Sequence, residues 1–258
     1  MAPYPKKVMT TEYRPGKTMI AGVVELRNEI GASAEAVSAV ALCGVDLLAS
    51  ETYLLPGEGR ALWSFFGVAG PSTSLTVLEE SLKASRGVVN CQLRKSEGGL
   101  LSDRLSFPIR ILGDQRGIVL PVNVLRPMLA RLRQVLGTGG DALLYGGGIE
   151  VGEQSGKEHM NGPFGPLARK FDPEVLGIYS ALGWGTLQVV EAAPNLSRVV
   201  VSVGESFESV EMKASSPNCH FTRGVMAGYF GVIMGRQVTS TETKCIAMGA
   251  PACEFVLE

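Results

Sequence analysis

The sequence predicts an α+β protein of two domains, and three observations carry that prediction. At 258 residues and about 150 residues per domain, the chain holds one large or two small domains. Hydrophobic residues reach 45% and charged residues only 19%, so a sizeable core is available and a largely disordered chain is excluded. Strand-like and helix-like runs follow the order β-α-β-β-α-β, with one further strand, up to a polar, glycine-flanked break at residues 113–117. Beyond the break come three helices, two strands, a last helix and a hairpin.

Residues 1–16 read as a tail, rich in proline and without an apolar run, so neither a signal peptide nor an anchor. Residues 19–28 (MIAGVVELRN) are β-rich and read as a strand. Residues 33–48 follow as a helix, with Ser33 as N-cap and Val37, Val40, Ala41, Val45 and Leu48 at helical spacing. Residues 52–55 and 61–68 are two strands around the turn at 56–59. A second helix spans 74–85, with Leu75, Leu78 and Leu82 on one face, and residues 88–94 and 105–112 are strands. That order is the ferredoxin-like split βαβ pattern. The boundary falls at Gly113, giving domains at 17–113 and 114–258.

In the second domain, helices are expected at 126–136, 141–158 and 173–183, with Pro127 in a first turn and Arg131 and Arg133 solvated. Strands at 185–192 and 198–207 precede a helix at 220–236. A hairpin pairs 238–247 with 253–257 around a turn at 248–251. Glycines recur every four residues at Gly148, Gly152 and Gly156, again at Gly224 and Gly228, and at Gly231 and Gly235. Such rows let helices approach closely. The sequence from Gly137 to Ala142 matches G-x-G-x-x-A by chance, because a helix precedes it where a dinucleotide site needs a strand.

Lys and Arg number 24 against 25 Asp and Glu. That balance argues against direct nucleic-acid binding. The longest apolar uncharged run, residues 224–235, has 12 residues, short of the roughly 20 that span a bilayer. A soluble, cytoplasmic protein is expected. Five cysteines are an odd number in a chain with no secretory signal, which makes a disulfide framework a poor reading. Cys43 and Cys91 fall on core positions.

Cys219, Glu242, Cys245 and Cys253 form the pattern C-x22-E-x2-C-x7-C. Thiolates with one carboxylate are a donor set that zinc accepts, and a helix start at Cys219 would favour its ionisation. Two plainer readings stand beside it: three small buried cysteines that pack, or a Cys245–Cys253 cross-strand disulfide. In a regular strand Glu242 and Cys245 point to opposite faces, so joint ligation needs a bulge or a strand end there.

Residues 117–258 resemble the 4-vinyl reductase domain family. The resemblance lies in LLYGGGIEVG at 143–152, GWG at 183–185 and CHFTRGVMAG at 219–228, and continues through Glu242, Cys245, Gly249, Cys253 and Phe255. The family includes the sensory domains of phenol-sensing transcription activators and is similar in fold to subunits of the TRAPP vesicle-tethering complex. The resemblance implies a structural zinc on Cys219, Glu242, Cys245 and Cys253. It also implies a buried pocket for a small hydrophobic or aromatic effector, for which Trp184, Phe207, Phe221 and Tyr229 are the candidate lining; their plainer reading is ordinary core.

The first domain resembles the ACT domain in VELRNEIGA at 24–32, with Ile30 where many members place a proline. That resemblance implies a homodimer and an amino-acid ligand at the strand-to-helix loop Asn28, Glu29, Ile30, Gly31, Ala32 and Ser33. Together these features predict a non-catalytic small-molecule sensor. A vinyl-group reductase and a TRAPP-like tethering protein are the alternatives, and no nicotinamide, flavin or phosphate motif supports the enzyme.

Overall fold

A computed structural model describes residues 4–57, 59–112, 114–163 and 165–258. It divides into two compact units, Met1–Ile118 and Val119–Glu258. Gly113, the expected boundary, lies outside the described residues. Among the described residues no helix is long and apolar enough to cross a membrane.

The first unit runs β1 (Thr11–Tyr13), β2 (Met19–Arg27), α1 (Ala32–Leu42), β3 (Val45–Leu55), β4 (Arg60–Ala69), α2 (Leu75–Ala84), β5 (Val88–Ser96), β6 (Leu100–Ser102), β7 (Arg110–Ile111) and β8 (Gln115–Arg116). Its main sheet has the order β3-β4-β2-β5, antiparallel throughout. One face packs Ile20, Val24, Leu26, Trp63 and Phe65 against Ala36 and Val40 of α1 and Leu78 and Leu82 of α2. Trp63 and Phe65, two residues apart on β4 and so on one face, stack with centroids 4.8 Å apart. Opposite Phe65 the register places Gly22, where a Cβ would lie 2.2 Å from the ring. The other face buries Met19, Ala21, Phe66 and Leu101.

Three expectations for this unit are corrected. The first helix ends at Leu42, because Gly44 adopts a left-handed conformation (φ 75°) that stops the helix; Val45 and Leu48 belong to β3. No continuous strand fills 105–112; only Arg110–Ile111 pairs, since Pro108 has no N–H to give a ladder. Residues Thr11–Tyr13, read as part of a tail and its sequel, form a ribbon with β6.

The second unit contains α3 (Val122–Leu136), α4 (Thr138–Asn161), the single turn α5 (Gly165–Ala168), α6 (Pro173–Ala181), β9 (Thr186–Ala192), β10 (Val199–Gly204), α7 (His220–Met234), β11 (Ser240–Lys244), a 3-10 turn (Ile246–Met248) and β12 (Cys253–Leu257). The sheet order is β11-β12-β10-β9, antiparallel. Alternate residues Val199, Val201 and Val203 of β10 and Phe255 and Leu257 of β12 form a core with Met226, Phe230 and Ile233 of α7. Asp172 caps α6 by accepting from Glu174 N at 2.9 Å, and Pro173 fits its first position.

Two details differ from the sequence reading. Helix α3 starts at Val122, so Pro127 lies inside it and cannot donate to the Asn123 carbonyl. Helix α4 continues from Thr138 through its glycines to Asn161, because they face α7. Gly148 sits where a Cβ would meet the Phe221 carbonyl oxygen at 2.2 Å. Gly152 meets that of Val225 at 2.2 Å, Gly224 that of Tyr145 at 2.1 Å, and Gly228 that of Ile149 at 2.2 Å. Contacts advance along both helices together, so α4 and α7 run parallel with their backbones touching. Gly235 instead ends α7 with φ 66°.

Candidate metal centre

Helix α7 begins at Cys219, its N-cap residue. Glu242 lies on β11, Cys245 immediately beyond it, and Cys253 opens β12. The β11–β12 register shifts between Glu242 and Lys244, and the strand ends before Cys245. The bulge and the strand end together bring Glu242 and Cys245 to the same side, the condition regular alternation forbids. All four residues are buried, and their three sulfurs and one carboxylate oxygen lie within 4.8 Å of one another. All five cysteines are free thiols; the sulfurs of Cys219 and Cys253 are 3.4 Å apart.

The cluster divides its protons unevenly. Cys219 donates toward the Cys245 and Cys253 sulfurs, which with burial pushes its own thiol far up. The Cys219 hydrogen bond pulls Cys245 down to about 4, against burial. Cys253 is lowered by the same donor, again against burial, with help from Ile246 N and Ser209. Burial, then the hydrogen bond to Cys245, raises Glu242 to about 9. Glu242 Oε2 accepts from Cys219 N at 2.9 Å. Its Oε1 is buried with no hydrogen-bond partner, an oxygen lacking the pairing such groups almost always have.

The turn after β10 supplies the surroundings, and no motif in the sequence marks it. Ser206, Phe207, Glu208 and Ser209 are consecutive and all buried. Ser206 Oγ is 3.8 Å from Cys219 Sγ, and Ser209 Oγ is 3.2 Å from Cys253 Sγ. Glu208 accepts from Phe221 N (3.2 Å) and Thr222 N (2.8 Å), two otherwise orphaned amides at the start of α7. Burial raises its pKa; these amides and Arg133 pull it back. Arg133, expected in solvent, is instead mostly buried: it pairs with Glu208, donates to the Asn218 carbonyl at 2.8 Å and lies 3.4 Å from Asp141. A buried carboxylate needs a cationic or hydrogen-bonded partner, and nothing local in the sequence marks a pair 75 residues apart.

Of the four aromatic candidates, three meet: Trp184–Phe207, Trp184–Phe221 and Phe207–Phe221 centroids are 5.7, 6.0 and 6.2 Å apart. Tyr179 joins them at 5.5 Å from Trp184. Its buried hydroxyl has no hydrogen bond of normal geometry, and neither has the neighbouring Thr222 hydroxyl. Tyr229 packs elsewhere, against Phe230, with its hydroxyl 3.0 Å from His159 Nδ1. In the first unit the loop from Asn28 to Ser33 stands at the surface. Asn28 N donates to Gly59 O (2.8 Å), Glu29 lies 3.9–4.0 Å from Arg86 and Arg27, Gly31 has φ 93°, and Ile30 is fully exposed. Ala32 is buried where α1 begins.

Residues 199–258 match the 4-vinyl reductase domain. All four clustered ligand residues fall inside that segment. No curated protein matches the chain. Among solved structures, the chain is similar to the phenol-responsive sensory domain of the transcription activator PoxR with phenol, at 21% identity over 57% of this chain and 78% of that one (TM-score 0.48). It is also similar to a vinyl-4-reductase family protein from Methanocaldococcus jannaschii, at 18% identity over 55% and 83% (TM-score 0.41). A third is a trafficking protein particle complex subunit 3 from Naegleria fowleri covalently bound to palmitic acid, at 14% identity over 53% and 93% (TM-score 0.40).

Proposed function

We propose that this chain is a non-catalytic small-molecule sensor whose second unit is organised by a structural zinc. The observation that carries the reading is the buried set of three cysteines and Glu242 within the segment matched to the 4-vinyl reductase domain. Three soft thiolate donors and one carboxylate suit zinc, and the partnerless Glu242 Oε1 is a donor in want of a cation. Cys219, Glu242, Cys245 and Cys253 would hold the metal. Four protein ligands complete a tetrahedral shell, which is the pattern of structural rather than catalytic zinc. When bound, the ion neutralises thiolates that burial would otherwise penalise and ties α7 to the β11–β12 hairpin.

The effector in this reading is a small hydrophobic or aromatic molecule seated at Trp184, Phe207 and Phe221. The unpaired Tyr179 and Thr222 hydroxyls beside them supply polar anchoring, as such pockets require. Tyr229 has no part in that seat. The first unit is read as ferredoxin-like and ACT-like, on its strand order and its β-α-β-β-α-β connectivity. It would form the homodimer and take an amino acid at the loop from Asn28 to Ser33, where Arg27 and Arg86 flank the start of α1.

Elemental analysis of protein purified without added metal tests the first part: about one zinc per chain is expected for a closed site. Absence of metal, with all five cysteines titrating freely, refutes it. Native mass spectrometry of the same preparation tests the sensor, with a co-purified small molecule and a dimer expected.

A further inference from the structure

Arg133 and the turn at residues 206–209 are buried around the metal centre without supplying any of its four donors. Ser209 is wholly buried, and its hydroxyl lies 3.2 Å from the Cys253 sulfur. Ile246 N reaches the same sulfur at 3.4 Å. Three thiolates and a carboxylate around a divalent cation leave net negative charge in a dry site, and hydrogen bonds to sulfur spread it. On the other side, Arg133 donates to the carbonyl of Asn218, the residue before Cys219. Through Glu208 it also anchors the amides of Phe221 and Thr222, just after Cys219. The backbone is thus gripped on both sides of Cys219 by one guanidinium from α3.

We propose that Ser209 and Arg133 are the positioning residues of the metal centre: Ser209 orients and stabilises the Cys253 thiolate, and Arg133 fixes the backbone that presents Cys219. This rests on the reading of the four residues as a metal site. A planar guanidinium serves two acceptors at fixed angles, which the single ammonium of lysine does not reproduce. Outer groups of this kind typically govern metal affinity by about 10- to 100-fold when removed.

The test uses the full chain loaded with zinc and a chromogenic chelator in excess. Ser209→Ala and Arg133→Lys are each expected to load one metal and release it about tenfold faster than the wild type. Arg131→Lys, on the same helix but exposed, is expected to release at the wild-type rate. In the cobalt-substituted protein, Ser209→Ala should move the thiolate-to-metal charge-transfer band to lower energy, because a sulfur without its donor gives up electrons more easily. A merely structural serine would not move that band. A wild-type chain that takes up no metal overturns the metal reading and this one with it. Loaded variants with unchanged release and an unchanged cobalt spectrum overturn this proposal alone, and if Arg133→Lys fails to fold, the two Ser209→Ala measurements decide.

Discussion

Replacing Gly152 with alanine puts the backbone contact of α4 and α7 to a direct test. A Cβ there would lie 2.2 Å from the Val225 carbonyl oxygen and 2.7 Å from Tyr229 N, where ordinary contact begins at 3.4 Å. The helices must therefore part by roughly 1 Å, and neither obstacle is a side chain that can rotate away. Overpacking of this kind costs about 3 kcal/mol, while alanine in a helix returns about 1 kcal/mol over glycine. The net expectation is a loss of about 2 kcal/mol. Gly146, six residues earlier on the same helix, has nothing within 4 Å of its would-be Cβ, so Gly146→Ala should gain about 1 kcal/mol. Urea unfolding in a Trp63→Phe background leaves Trp184 as the single tryptophan, reporting on the second unit. Stabilisation by Gly152→Ala equal to that by Gly146→Ala would refute the close-contact argument.

Three further outcomes are expected. Cys253→Ser should lose metal uptake, and a strong chelator added to wild type should lower the unfolding midpoint of the second unit; near-ultraviolet dichroism during chelation reads the effect. Burial lowers the His159 pKa below 6.5, opposed by Glu158. The unfolded chain therefore binds this proton at higher pH than the folded one. Stability from this group is complete above about pH 6.5 and declines as pH falls toward the folded value. The stability gap between wild type and His159→Gln should accordingly shift between about pH 7 and pH 5.5, and a constant gap would contradict the assignment. In the first unit, Trp63→Ala should cost about 3–5 kcal/mol, since it empties a buried stacked position. Ile30→Asp should leave the urea midpoint unchanged, because that side chain touches only solvent.

What is legible in the sequence depends on whether the signal is local. Glycines four apart predict the α4–α7 contact because one helical face repeats at that spacing, and the same spacing misassigns Gly235, whose use is a left-handed helix end. The three cysteines and one glutamate stand out by chemical type. How Glu242 and Cys245 face one way is not legible, since it depends on a bulge set by pairing with β12. Periodicity overextends the first helix because Val45 and Leu48 fit a helical stripe as well as a strand, and only Gly44 decides between them. Charge alone puts Arg133 in solvent; its partner Glu208 lies on a turn that no periodicity marks.

The glycine contact between α4 and α7 also constrains the gene. Glycine codons share their first two bases and leave the third free, so every single-base change that alters the residue adds a side chain or ends the chain. At Gly148, Gly152, Gly224 and Gly228 the opposing atom is a backbone carbonyl oxygen, which a second substitution across the interface cannot shrink. These four codons therefore have no neutral neighbour and no compensating partner, and saturation mutagenesis should find them among the least permissive positions of the second unit.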